Sequence, residues 1–208
     1  PSEFSTVINN PYLSYFPGTT YTYEKMTEEG KEKNVIIVTN EKKTIIGVEN
    51  IVVWDRVWLN DELKEETYDW YAQRGDGSVW YFGEDSRDFK DGVVVSTHGS
   101  WEAGVDGARP GIVMRSIPVV GANYRQEYSL GKAEDIGEVV SVTEQVVTKR
   151  KTYEGCVKTR DRSYIDPSLD EYKYYCPTDA RNLVLITDGT GEDMERSELV
   201  DISLPATP

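Results

Sequence analysis

The chain has 208 residues, 37 of them acidic and 23 basic, giving a net charge of −14. That charge repels phosphate backbones and anionic bilayer surfaces, which argues against a nucleic-acid partner, and no apolar run of about 18 residues offers a membrane-spanning helix. Fourteen tyrosines and five tryptophans against three methionines describe a globular chain rich in strand formers, and the length suits one β domain over residues 1–203 with a flexible tail at 204–208.

The opening PSEFSTVINNPYL lacks the charged-then-apolar pattern of a leader, as expected of a mature exported chain. Short alternating runs punctuated by turn residues follow, predicting strands over 20–26, 34–39, 44–59, 63–73, 78–84 and 92–101. After an irregular stretch, strands resume over 123–128, 137–148, 155–164, 171–176, 182–187 and 198–202. The turns Glu29-Gly30, Asn60-Asp61, Gly75-Asp76-Gly77, Asp91-Gly92 and Asp188-Gly189 supply residues that tolerate positive φ, so neighbouring strands should pair antiparallel. Gly47, inside the run 44–59, reads as a bulge or bend of the kind that curls a sheet.

The stretch TYDWYAQRGDGSVWYFGED, residues 67–85, places aromatic rings on both arms of a hairpin. With an even-length turn, Trp70 faces Tyr81 and Tyr71 faces Trp80. Alternation then gathers Tyr68, Trp70, Ala72, Val79 and Tyr81 on an apolar core face, and Asp69, Tyr71, Gln73, Trp80, Phe82 and Glu84 on a mixed face. Rings beside carboxylates are the composition of a small-molecule pocket, although loops packed over that face would account for it equally. The tip spells Arg74-Gly75-Asp76, an adhesion tripeptide that a tight turn already explains.

Next comes GSWEAGVDGARPGIVM, four glycines and a proline in sixteen residues, an ordered-loop composition long enough for a lid or plug. It contributes Trp101 and Glu102 to the candidate pocket. GKAEDIGEVV suggests a helix of at most two turns between its glycines. Cys156 and Cys176, the only cysteines, fall in two strand-like stretches joined by IDPSLD; pairing across that hairpin makes a disulfide and implies an oxidising compartment. The last residues, LPATP, echo a cell-wall sorting signal with proline where glycine is required, so they read as a tail or as the start of an anchoring segment.

Catalytic motifs are thin. Asp69 with Glu84, or Glu102 with Asp106, could serve as a glycosidase pair, but 37 acidic residues generate such pairs by chance. His98, the single histidine, stands near Ser100 without a GxSxG elbow. Nucleotide-binding glycine motifs are absent. No cofactor is expected; calcium is the one ion that oxygen-rich stretches such as GEDSRDFKDG (Glu84, Asp85, Asp88, Asp91) and TDGTGEDMERSE (Asp188, Glu192, Asp193) could suit, though neither matches a calcium-loop pattern.

Several strings taken together, NPYLSYFPGTTYTYE, TYDWYAQRGDGSVWYFGED, GSWEAGVDGARPGIVM, YRQEYSLGKAED and EYKYY, resemble a family of exported bacterial and archaeal proteins, often lipoprotein-like, with no established activity. The resemblance implies an exported β-domain and supplies no functional residues; the cysteine pair and CPTDARN depart from the family's usual form.

These readings converge on an antiparallel all-β meander closing into an up-and-down, lipocalin-like barrel or a curled half-barrel, with a β-sandwich as the alternative. The expected function is a non-catalytic binding module, extracellular, on the cell surface or periplasmic. It would hold an apolar or amphipathic small molecule between Tyr71, Trp80, Phe82 and Trp101, oriented by Asp69, Glu84 and Glu102. A structural envelope protein whose rings are merely core is the second reading, and a carboxylate-based carbohydrate-active enzyme the third. Nothing in the sequence sets the oligomeric state.

Overall fold

The computed structural model describes residues 1–177, 182–188 and 194–205, the side chains of Asn182 and Asp188 excepted. Its strands in chain order are β1 (Phe4–Ser5), β2 (Ile8–Asn9), β3 (Ser14–Tyr15), β4 (Thr20–Thr27), β5 (Gly30–Ile45), β6 (Val48–Leu59), β7 (Glu62–Arg74), β8 (Val79–Lys90) and β9 (Val93–Ser96). They continue with β10 (Trp101–Glu102), β11 (Arg109–Met114), β12 (Asn123–Arg125), β13 (Glu127–Tyr128), β14 (Asp135–Val147), β15 (Thr152–Ser163), β16 (Asp170–Cys176), β17 (Asn182–Asp188) and β18 (Arg196–Ser203). No helix occurs among the described residues, so none is long and apolar enough to cross a membrane.

Two antiparallel meanders, β4 to β8 and β14 to β18, account for most of the wall, and β18 pairs with β4 to join them. On the other side β8 pairs with β11 and β11 with β13, while β12 pairs with β14. Only Gln126 separates β12 from β13, so the segment Asn123–Tyr128 bends there and ties the two ends of the sheet to one another. The Gln126 backbone N–H donates to the Asp135 carbonyl at 2.9 Å and its side-chain amide to Asp161 at 3.0 Å, which fixes the bend. The sheet therefore nearly closes into a barrel, and the sandwich alternative does not apply. Near closure also leaves few unpaired strand edges.

Alternation along the strands sorts side chains into two cores. Ile51 and Val53 point inward with Tyr21, Tyr23, Val139, Val157 and Leu199, whereas Val52 joins Trp70, Ala72 and Phe82 on the opposite face. Burial of each valine, leucine, isoleucine or phenylalanine among them is worth roughly 1.5–3 kcal/mol. The inner core is completed from the N-terminus. Ile8, Leu13 and Tyr15 pack into it, anchored by Asn10, whose amide donates to the carbonyls of Gly77 and Arg115 and whose oxygen accepts from the backbone N–H of Tyr12 and Leu13. The outer core is covered by Phe4, which stands edge-on to Trp80 and Phe82 at 6.0 and 5.4 Å.

Cys156 and Cys176 are disulfide-bonded across β15 and β16, with both residues fully buried in the inner core. A bridge spanning 20 residues contributes about 3 kcal/mol in the chain-entropy account.

Four local expectations change. The run 44–59 is not one bent strand: Ile45 pairs with Val48, and Ile46 and Gly47, both at positive φ, form a two-residue hairpin turn. The run 92–101 splits into β9 and β10 because Thr97–Ser100 turns, closed by the Ser100 N–H on the Thr97 carbonyl. The glycine-rich stretch after it is not a lid, since its second half is β11 and forms part of the wall. GKAEDIGEVV forms no helix; Ala133 bridges back to Ser129 and β14 begins at Asp135.

Candidate functional site: an acidic, tyrosine-lined cavity in the barrel

The site is built around the β7–β8 hairpin, and its register decides which rings reach it. Arg74 N–H donates to the Ser78 carbonyl and Gly77 N–H to the Arg74 carbonyl, both at 2.8 Å, so the loop is the three residues Gly75-Asp76-Gly77. Gly77 takes the positive φ of +91° that such a loop needs. An odd loop displaces the register by one and turns β8 over: Tyr71 lies opposite Tyr81, and Ala72 opposite Trp80. Tyr81 thus faces the interior, while Trp80 and Phe82 join Trp70 and Ala72 on the outer face beneath Phe4. This corrects the face assignment read from the sequence.

One bulge then restores part of it. The register shifts between Asp69 and Tyr71, where Phe82 and Gly83 together oppose Trp70, and beyond it Asp69 pairs with Glu84. Gly83 has a φ of +132°, and a Cβ there would lie 2.2 Å from the Trp101 carbonyl oxygen, so glycine alone lets β10 close on β8. The consequence is that Asp69, Tyr71 and Glu84 share the inner face after all. Tyr81 joins them: its hydroxyl lies 2.5 Å from Asp69 and 2.9 Å from Glu84. One phenol carries one proton, so two ionised carboxylates cannot both accept from it with full strength; one carboxyl holding a proton resolves the conflict.

A cavity of about 290 Å³ opens beside this group. Asp69, Tyr71 and Tyr81 form one wall; Tyr15, Tyr23, Ile36, Val53 and Asp55 extend it along the N-terminal meander, and Glu127, Asp135, Lys173 and Tyr175 face them. Tyr71 stacks on Tyr81 at 4.7 Å and Tyr15 leans on Tyr71 at 5.2 Å, so the rings present both faces and edges. Asn34, Asp55, Lys173 and Ile186 also line an outer depression of about 380 Å³ and so form the neck between it and the cavity. Asn34 donates to Asp55 across that neck.

The charges are unbalanced. Lys173 is bonded to Asp161 at 2.9 Å and lies 3.7 Å from Glu171. Burial opposes the Lys173 charge, but Asp161 and Glu171 outweigh it and hold its pKa above the usual range. The carboxyls, by contrast, are pushed up. Burial raises Glu84 to about 7 against the pull of the Tyr81 hydrogen bond, with Glu65, Asp135 and Asp55 adding repulsion. Burial raises Asp55 to about 7 in the same way, opposed by Asn34. Asp69 and Glu127 are raised by burial first and by Glu84 second, and Asp135 by burial. The tyrosine hydroxyls, raised mainly by burial, stay protonated.

The remaining expected residues separate. Trp101 stands edge-on to Tyr81 at 5.5 Å, behind the cavity wall. Its buried indole N–H has no hydrogen-bond partner of normal geometry among the described residues, yet it lies close enough to Glu127 to lower that carboxyl's pKa. Glu102 is at the surface, paired with Lys43 at 2.8 Å, and Asp106 pairs with Lys132 at 3.1 Å. The stretch GEDSRDFKDG is mostly strand β8, so alternation sends Glu84 inward and Asp85 outward to Arg87. In the second acidic stretch Glu192, Asp193 and the side chain of Asp188 lie outside the described residues, and among those described no group of three or more His, Cys, Asp or Glu is arranged to hold a metal ion.

Sequence reasoning passed over Tyr15, Asp55, Tyr81, Glu127, Asp135, Lys173 and Tyr175. Two carried a signal: Asp55 interrupts the inward series Ile51, Val53, Val57, and Lys173 stands in register with Tyr175 on an inward face. The others converge only when distant strands pair.

The fold and cavity define a class: a β-barrel, disulfide-bonded, with a polar and aromatic chamber inside. No family model and no curated protein matches the chain. A solved structure, that of a protein provisionally described as a lipoprotein from Parabacteroides distasonis, is similar at a TM-score of 0.47 and 10% identity, over 92% of this chain and 98% of that one.

Proposed function

We propose that the protein is an exported, non-catalytic binding module that holds a small amphipathic ligand inside the barrel. The observation that carries this reading is the cavity, about 290 Å³ lined by tyrosine rings and carboxylates together, which is near the lower end of small-molecule sites. Asp69 and Tyr71 are its walls, with Glu84 and Trp101 acting through Tyr81. The disulfide supports maturation in an oxidising compartment, and hence a periplasmic or surface location. A glycosidase reading loses ground because the Tyr81 hydroxyl occupies the gap between Asp69 and Glu84 where a scissile bond would have to enter.

Native mass spectrometry of protein purified from its own host tests the reading: a co-purifying mass of small-molecule size is expected, and Ile36→Trp, which fills the cavity, should remove it. Absence of any bound mass, together with no uptake of an environment-sensitive dye by the unmodified protein, would refute it.

A further inference from the structure

Five tyrosines line the cavity; the Tyr23 hydroxyl donates to the Leu183 carbonyl and that of Tyr81 to Asp69, whereas those of Tyr15, Tyr71 and Tyr175 make no hydrogen bond among the described residues. Tyr15 is 9% exposed and Tyr175 6%, yet neither hydroxyl is among the fully enclosed polar atoms without a partner, and both residues line the chamber, where a ligand could supply the missing bonds. Asp69, 8% exposed, uses one oxygen on Tyr81, and its second has no partner among the described residues. Lys173, the one cation lining the cavity among the described residues, is already engaged by Asp161 and Glu171.

The chemistry of an occupant follows. A purely apolar molecule would strip water from Asp55, Asp69, Glu127 and Asp135 and give nothing back. A carboxylate or phosphate would meet the same four groups as repulsion. A protonated amine supplies up to three donors to carboxylates and hydroxyls, and its charge is favoured against the faces of stacked rings such as Tyr71 and Tyr81.

We propose that the cavity binds a small primary organic ammonium with an apolar or aromatic body, its head held between Asp69, Glu127 and the Tyr15 and Tyr175 hydroxyls, its body against Tyr71 and Val53. This rests on the binding-module reading and names the ligand class for that site. Binding is coupled to protons. Asp69 is faced by Asp55 and Glu65 from β6 and β7 and by Tyr81 and Glu84 from β8; Glu127 is faced by Glu84, Asp135 and Lys173. An ammonium entering this group drives its carboxyls to ionise, so uptake releases protons, and affinity falls as the pH drops below the raised carboxyl values. Aliphatic amines themselves stay protonated across that range.

The test uses matched pairs on the full chain: benzylamine, phenethylamine and cyclohexylamine against benzyl alcohol, 2-phenylethanol and cyclohexanol, by titration calorimetry at pH 8 and pH 5.5 in two buffers of different ionisation enthalpy. At least one amine should bind at least ten-fold tighter than its alcohol at pH 8, with a buffer-dependent heat showing proton release, and the preference should shrink at pH 5.5. Asp69→Asn should cut amine affinity at least ten-fold, closing the gap to the alcohol. Alcohols binding as well as amines would overturn the ammonium proposal and leave the binding module standing. Neither series binding would overturn both. Calcium chloride alone raising the melting temperature more than any amine would overturn the proposal in favour of a metal ion.

Discussion

Replacing Glu84 with glutamine should stabilise the protein at alkaline pH and do nothing at acid pH. Glu84 stands at about 7 in the fold against an ordinary 4.5, with burial the main cause. At 1.36 kcal/mol per pH unit, ionising it in place costs about 3 kcal/mol. Between those two values the native state holds the proton more tightly than the unfolded chain. Stability contributed by the protonated carboxyl is therefore complete below the unfolded value and is lost as pH rises toward about 7. The amide introduced by Glu84→Gln would still accept from the Tyr81 hydroxyl and would add a donor toward Asp69, so the hydrogen-bond geometry has a neutral counterpart. For a domain of this length 1 kcal/mol moves the melting temperature by about 2–4 °C, so Glu84→Gln should melt about 6–12 °C above the parent at pH 8 and coincide with it near pH 4.5. Asp55, raised to about 7 by burial, leaves the variant with part of the original slope. Melting curves by circular dichroism from pH 4.5 to 8.5 decide the matter. Parallel profiles for the two proteins, or a variant less stable at pH 8, would show that Glu84 is not held in a dry, acid-crowded site.

Other substitutions probe the frame that builds the cavity. Gly83→Ala pushes a Cβ to 2.2 Å from the Trp101 carbonyl, and should cost more than about 2 kcal/mol in urea unfolding while changing Trp101 fluorescence; an unchanged midpoint would contradict the bulge. Ile46→Asn relieves a β-branched residue held at a φ of +42°, and should raise stability in urea unfolding by about 1 kcal/mol; a lowered midpoint would contradict it. Reducing the Cys156–Cys176 bridge should lower stability by about 3 kcal/mol, read as a drop in melting temperature on adding dithiothreitol; no change would mean the bridge constrains little of the unfolded chain.

Composition, alternation and turn chemistry were enough to make this chain an antiparallel β meander, because strand periodicity and positive-φ turn residues are local properties, and the cystine joins β15 to β16, the two strand-like stretches that carry the cysteines. The same local signals placed Asp69, Tyr71 and Glu84 on one face. They could not place Trp80 or Phe82, since a loop of three residues instead of two turned β8 over, and a bulge at Phe82–Gly83 turned it back. Loop parity is a single-residue property with a strand-long consequence, and no pattern in the flanking sequence reports it. Nor could the sequence assemble the cavity: Asp69 on β7, Glu127 on β13 and Lys173 on β16 meet only because β18 pairs with β4 and the bend at Gln126 joins the far edges. Closure of the sheet brings those charges together and shuts water away from them, and burial then raises the carboxyl pKa values, which couples ammonium uptake to proton release.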